Sequence, residues 1–328
     1  MTVARATKPH SHRVQAIDVA RGLALVAMAI YHFAWDLEFF GYVPQGMTAV
    51  GGWRLFARLI AGSFLFLVGA SLILAHGDHI RWRALFKRLA MIVAAAAAIT
   101  VASRFATPDR YIFFGILHCI AVATIIGLVF VRAPALVSAL AGVAIILFAP
   151  DLADPSFNHP FLLWLGLSTE TVQSNDFVPV FPWFGPVLLG MAAARVAVDR
   201  NWIPKLASIY RGSGPINRAL LFAGRHSLAF YLIHQPVLVA AVYAASLIAP
   251  APQPDPADSF MNSCNYSCSL NNERAFCSRF CSCTLDRLIE EDLLDAIMTE
   301  ETREQSQPDI QAIARACTSQ SIEEPPSQ

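Results

Sequence analysis

Long apolar stretches separated by short polar breaks fill most of the first 250 residues. A hydrocarbon core of roughly 30 Å takes about 20 helical residues to cross, and runs of that kind fall at roughly 17–40, 55–75, 86–103, 111–131, 134–150, 182–198 and 219–248. The pattern predicts an all-α, polytopic transmembrane helix bundle of about seven spans. The fifth run is short and follows Pro134 after a minimal turn, so it pairs with the fourth as a helical hairpin. Past residue 250 the pattern changes. Ala249 to Asp258, APAPQPDPAD, predicts an extended Pro-rich linker. Leu285, Leu288, Ile289, Asp292, Leu293, Ala296 and Ile297 then repeat at helical spacing, and the closing EEPPSQ reads as disordered. The expected order is a cytoplasmic segment at 1–13, a membrane domain at 14–250, a linker at 251–260 and a small Cys-rich, helical, acidic tail at 261–328.

Composition agrees with the pattern. The chain is 55% hydrophobic and 15% charged, with a mean hydropathy of +0.49, which excludes an ordinary soluble domain. The net charge of zero is a cancellation: residues 1–252 hold 19 Lys and Arg against 10 Asp and Glu, and residues 253–328 hold 5 against 14. With the N-terminus in the cytoplasm, Arg5, Lys8, Arg13, Arg81, Arg83, Lys87, Arg88, Arg132, Arg195, Arg200, Lys205, Arg211 and Arg218 fall on the cytoplasmic side. The loop at 151–180 has no basic residue and carries Asp151, Asp154, Glu170 and Asp176, so it belongs outside. An odd number of spans sends the tail outside too. No cleavable signal is expected, because residues 1–16 are polar and the first apolar run is long and lacks a small-residue cleavage site. Membrane lipids are expected partners and nucleic acid is not.

The first span carries charges that a structural helix does not need. At 100° per residue, Asp18, Arg21, His32 and Asp36 fall within about 60° on one face. His32 lies eleven residues beyond Arg21, about 16 Å along the axis. Charge at membrane depth costs a few kcal/mol or more, so such residues face a bundle interior or a wet cavity. His32 and Asp36 are one turn apart, where the carboxylate can hold one ring nitrogen and leave the other as a general base. The competing reading places Asp18 and Arg21 at the interface and makes His32 a hydrogen-bonded packing residue.

Ile17 to Leu37, IDVARGLALVAMAIYHFAWDL, resembles the first helix of the transmembrane acyltransferase superfamily, which includes acyltransferase-3 enzymes and heparan-α-glucosaminide N-acetyltransferase. The Asp-x-x-Arg-Gly start and the Arg, ten residues, His spacing stand at Asp18, Arg21, Gly22 and His32. SFLFLVGASL (Ser63–Leu72), FFGILHCIAV (Phe113–Val122), FVPVFPWFGPVLLG (Phe177–Gly190) and GRHSLAFYLIHQPVL (Gly224–Leu238) extend the likeness, which is closest to a bacterial branch related to the heparan-α-glucosaminide N-acetyltransferase catalytic domain and covers about 14–248. The resemblance implies acyl transfer across a bacterial inner membrane, from acetyl-CoA or another acyl-CoA in the cytoplasm to a glycan or lipid-linked sugar on the periplasmic face. It gives Arg21 the donor end and His32 the catalytic position. A guanidinium suits CoA phosphates, and a deep histidine can deprotonate an acceptor or carry the acyl group.

The last span adds Arg225, His226, Tyr231, His234 and Gln235 before Pro236, a kinking residue. Arg225 and His226 are donor-end candidates; Tyr231, His234 and His118 of the fourth span are candidates for a secondary pocket. For His118, a bond to a neighbouring helix explains its presence equally well. Asp176, ahead of FVPVFPWFG, is placed to line an acceptor entrance, whereas an aromatic belt also accounts for Trp183. Gly62, Gly69, Gly185 and Gly190 read as close helix contacts. The body offers no phosphate-binding loop and no zinc motif, so no metal is predicted.

In the tail, Cys264 and Cys268, and Cys277 and Cys281, form pairs one helical turn apart, so facing helices can be joined by two bridges. Cys283 and Cys317 offer a third. Six cysteines allow 15 connectivities, and sequence selects none. Thiolate metal binding, with Cys281-x-Cys283, is the rival; an oxidising compartment favours disulfides. For the whole chain, histidine-ligated haem electron transfer and proton-coupled transport stand as alternatives to acyl transfer.

Overall fold

The computed structural model describes residues 14–209, 214–252, 255–295, 297 and 306–323. The segment at 1–13, with Arg5, Lys8 and Arg13, lies outside the described residues, as do Arg211, Ala296 and the last five positions. Among the described residues the chain is all helix and loop, without a strand. In chain order the helices are α1 (Gln15–Phe39), α2 (Gly51–His76), α3 (Trp82–Ala106), α4 (Ile116–Phe130), α5 (Ala135–Phe148), α6 (Val180–Asp199), α7 (Trp202–Ile209), α8 (Pro215–Arg225), α9 (Ser227–Ile248), α10 (Pro256–Cys268), α11 (Arg274–Glu290) and α12 (Gln307–Glu323).

Five of them, α1, α2, α3, α6 and α9, are long and apolar enough to cross a membrane. The 25 residues of α1 reach about 37 Å, whereas the 15 residues of α4 reach about 22 Å. Both α4 and α5 are short apolar helices. Leu59, Val129, Leu136, Leu140, Ile233 and Val237 are exposed on these helices, which suits contact with lipid and not with water. The chain is a multi-pass membrane protein.

The run expected as one span over 219–248 is two helices. His226 closes α8, its N–H bonding the Phe222 and Ala223 carbonyls at 3.1 Å each, and Ser227 opens α9. The polar triplet Arg225–His226–Ser227 marks the break. The expected linker is also shorter: Asp255 caps α10, its Oδ1 accepting from the Ala257 N–H at 2.9 Å, with Pro256 at the first helical position. The amphipathic stripe expected to run helically through Ile297 stops at Glu290, and Asp292 takes a left-handed conformation with φ 55°. Leu293 and Ile297 still pack on the tail's core.

The chain forms two compact units, one of residues 1–30 with 56–236 and one of 31–55 with 237–328. In the first, Leu65, Leu72, Cys119, Ala123, Val180, Phe184, Val187, Leu188 and Met191 form the main core between α2, α4 and α6. With no apolar gain between helices in lipid, close approach by small residues decides the packing. A Cβ built at Gly69 would lie 1.9 Å from the Val187 carbonyl oxygen, and one at Gly190 would lie 2.0 Å from that of Phe66, so α2 and α6 cross backbone to backbone. Gly185 likewise packs on α5 at Gly142 and Ile146, but Gly62, expected to do the same, has open space around it.

In the second unit, Glu38 organises the turn after α1, its carboxylate accepting from Gly46 N–H at 2.7 Å, Thr48 N–H at 2.8 Å and Thr48 Oγ1 at 2.7 Å. The tail is stapled by Cys264–Cys281, Cys268–Cys277 and Cys283–Cys317. The first two bridges join α10 to α11 and the third joins α11 to α12. Leu288, Ile313 and Cys317 form its small buried core, too little to hold 17-residue helices without covalent support.

Gly69→Ala is expected to lower stability by about 2 kcal/mol through the α2–α6 clash, while Gly62→Ala leaves it unchanged. Thermal unfolding of the purified protein in detergent distinguishes the two.

Candidate active site

At the start of α1, Asp18 is buried, with 2% of its surface exposed. Its Oδ1 accepts from Arg21 Nη1 at 3.3 Å, one turn along the helix, and its Oδ2 lies 3.6 Å from Arg225 Nε at the end of α8. Arg21 Nη2 also donates to Ser71 Oγ on α2. One carboxylate therefore holds two guanidiniums drawn from helices 200 residues apart in sequence. The two glycines beside these charges make this possible. A Cβ at Gly22 would lie 2.4 Å from the Leu220 carbonyl oxygen, and one at Gly224 would lie 1.7 Å from that of Asp18, so α1 and α8 touch along their backbones.

Among the described residues, the ion pairs of this cluster join two positive charges to one negative. Arg21 keeps 18% and Arg225 44% of its side-chain surface exposed, so the arginine from α8 is the more accessible of the two to an anion. His226, next in sequence, has Nδ1 2.9 Å from the Phe222 carbonyl and its ring 4.5 Å from that of Phe222. It lies exposed at the helix junction.

Further along α1, Asp36 is fully buried and His32 is half-buried, its ring edge-on to Tyr31 at 5.8 Å. They stand one turn apart on one continuous helix.

A second polar cluster sits at the N-terminus of α4. Asp176, in the loop before α6, accepts through Oδ2 from the Ile116 N–H at 2.9 Å and from the Tyr231 hydroxyl at 3.5 Å. A carboxylate here meets the positive end of the helix dipole and an otherwise unbonded N–H. Gly115 leaves the room: a Cβ there would lie 2.3 Å from Asp176 Oδ2. His118 completes the cap. Its Nδ1 accepts from the Gly115 N–H at 3.2 Å, which puts the ring proton on Nε2, 3.2 Å from Thr100 Oγ1. Thr100 in turn donates to the Ile112 carbonyl at 2.7 Å. Both His118 nitrogens are thus engaged, Nδ1 in capping α4 and Nε2 in tying it to α3. His234 Nδ1 lies 2.7 Å from the Tyr231 carbonyl, with the two rings 5.8 Å apart.

Of the residues singled out by sequence, Asp18, Arg21 and Arg225 come together directly, and Tyr231 meets Asp176 beside His118. Sequence reasoning missed Ser71 and Gly224 as members of the cationic cluster. A lone hydroxyl at Ser71, buried inside an apolar span, was the available signal for the first. The carboxylate–dipole role of Asp176 was missed too; an acid ahead of a proline-broken aromatic stretch was its only mark.

Fold and site together define a polytopic helical membrane protein with two arginines held on one buried carboxylate at one end of its first helix. The family model for the heparan-α-glucosaminide N-acetyltransferase catalytic domain matches residues 13–236, and the chain belongs to that family; it is a membrane acetyltransferase. No curated protein and no solved structure matches it.

Burial pushes the Asp176 carboxyl above the ordinary carboxylate range, against the hydrogen bonds from Ile116 and Tyr231, which lower it. A carboxyl raised on folding binds more protons folded than unfolded, so its contribution is full below the ordinary value and is lost as pH rises through the raised one. Stability measured against pH in detergent is expected to fall less steeply across that window for Asp176→Asn than for the natural protein.

Proposed function

We propose that the protein moves an acetyl group, or a related acyl group, from acyl-CoA at the cytoplasmic face to an amino sugar or hydroxyl of a glycan or lipid-linked sugar at the periplasmic face of a bacterial inner membrane. The observation that carries this reading is the Asp18–Arg21–Arg225 cluster. In a chain of an acetyltransferase family, α1 begins with a buried carboxylate that holds its own Arg21 and Arg225 of α8, and it continues to a histidine one turn from a buried aspartate. A preset pair of arginines suits the phosphates of CoA. Seven crossings, counting α4 and α5, with the N-terminus inside, fit the excess of basic residues on one side. The same topology gives the three disulfides of the tail an oxidising compartment.

In this reading Asp18 is a positioning residue, fixing both arginines before donor arrives, and Arg21 and Arg225 bind. The acceptor nitrogen or oxygen attacks the thioester carbonyl; the new bond forms as the carbon–sulfur bond breaks. His32, oriented by Asp36, takes the proton released by the acceptor and returns it to the departing thiolate. Transfer through an acylated His32 balances equally, with the acceptor attacking in the second step. Asp176, Tyr231, His118 and His234 belong to the acceptor side. Haem ligation finds little support at His118, whose two nitrogens are already bonded.

His32→Ala is expected to abolish acetyl transfer by the purified, folded protein. Arg21→Gln is expected to raise KM for acetyl-CoA about tenfold, the loss of one charge-assisted contact to phosphate. Steady-state assays of acetylated amino sugar check both, and full activity in His32→Ala would sink the catalytic assignment.

A further inference from the structure

Between α2, α3 and α4 lies a second polar feature that the acetyl-transfer reading does not use. A shallow crevice, with about 20 Å3 of internal room and open to the outside, is lined by Val68, Leu72 and His76 of α2, Leu85, Arg88, Leu89 and Ile92 of α3, and Thr124 of α4. Its walls are apolar; its polar groups are almost all donors. His76 is more than nine-tenths buried. Its Nδ1 accepts from the Arg81 N–H at 3.1 Å, so the ring proton sits on Nε2, and no hydrogen bond among the described residues occupies that atom. Arg88, which lies close enough to His76 to act on it electrostatically, has no carboxylate and no hydrogen-bond partner among the described residues. Thr124 gives its hydroxyl proton to the Ile120 carbonyl at 2.7 Å.

A guanidinium and an imidazole N–H facing one crevice with no anion supplied by the protein make a site for an anion from outside. The arginines of the cationic cluster differ in this respect, since Asp18 already stands between them. Arg88 is exposed on α3, one turn from Leu85 and Ile92, so the crevice opens along the side of the helices. Trp82 and Phe86, stacked at 5.8 Å and both exposed, flank it on the same helix, as aromatic side chains do at the level of lipid headgroups. Arg81, Arg83 and Lys87 crowd this end of α3, the pattern of a cytoplasmic boundary. Basic crevices between membrane helices on that side take the headgroups of anionic lipids.

We infer that His76 and Arg88 form a phosphate site in the crevice of α2, α3 and α4, occupied by the headgroup of an anionic phospholipid of the cytoplasmic leaflet. The phosphate sits on the guanidinium, the imidazole Nε2–H donates to it, and the acyl chains lie against the apolar flank of α3. The lipid then fastens α2 to α3 at an end where no ion pair joins them among the described residues.

The test is native mass spectrometry of the full chain released from detergent containing phosphatidylglycerol or phosphatidylcholine, paired with thermal unfolding. The natural protein is expected to retain phosphatidylglycerol, not phosphatidylcholine, and to be stabilised by it. Arg88→Gln is expected to weaken retention about tenfold, the loss of one charge-assisted contact, and Arg88→Lys to weaken it in part. Arg83→Gln, on the same helix but outside the cavity, keeps full retention. Should Arg88→Gln fail to fold, Arg88→Lys and His76→Gln carry the comparison. Equal losses in Arg83→Gln and Arg88→Gln would overturn the site in favour of diffuse attraction. Protection by inorganic phosphate alone, as large as that by phosphatidylglycerol, would overturn the lipid as its occupant.

Discussion

The buried carboxylate of Asp18 is the constraint around which the cationic end of the first unit is arranged. Asp18 is buried, and a carboxylate taken out of water is costly unless cations stand beside it; Arg21 and the more exposed Arg225 supply them. Asp18 offers one oxygen to each arginine. The arrangement works only because Gly22 and Gly224 let α1 and α8 meet backbone to backbone. The Asp-x-x-Arg-Gly motif thus has a physical content: anion, cation and clearance in a single turn.

The same logic recurs at α4. A helix that begins inside a bundle has N–H groups to satisfy, and here Asp176 accepts from Ile116 and His118 from Gly115. Both clusters combine a charged side chain with an adjacent glycine whose absent Cβ makes the close contact possible. Elsewhere in the unit the helices are held by glycine crossings and apolar interdigitation, as at Gly69 and Gly190.

Much of this was legible in the sequence because hydropathy and charge cost are strong signals in a membrane chain. The helices from α1 to α6 fall close to the apolar runs, and the stripe of Asp18, Arg21, His32 and Asp36 stood out because each charge is expensive there. The pairing of the tail cysteines, left open among the possible connectivities, follows once α10 and α11 face each other as a hairpin. What sequence could not give were long-range contacts: nothing local ties Ser71 to Arg21, or Asp176 to the N-terminus of α4. Helix ends were hidden for a different reason. The junction at His226, the start of α10 at Pro256 and the stop at Glu290 depend on capping and on single φ angles, which hydropathy does not register. Gly62 shows the converse error, a small residue in a span that meets no neighbour.

The central claim, that this acetyltransferase works across the membrane from a cytoplasmic donor, is tested most directly in sealed proteoliposomes with the protein in one orientation. Labelled acetyl-CoA is supplied at the face bearing Arg81, Arg83 and Lys87, and glucosamine is trapped on the other side. The account predicts labelled N-acetylglucosamine in the compartment that never held CoA. Acetylation confined to acceptor on the donor's own side, or none with donor on either side, would contradict it.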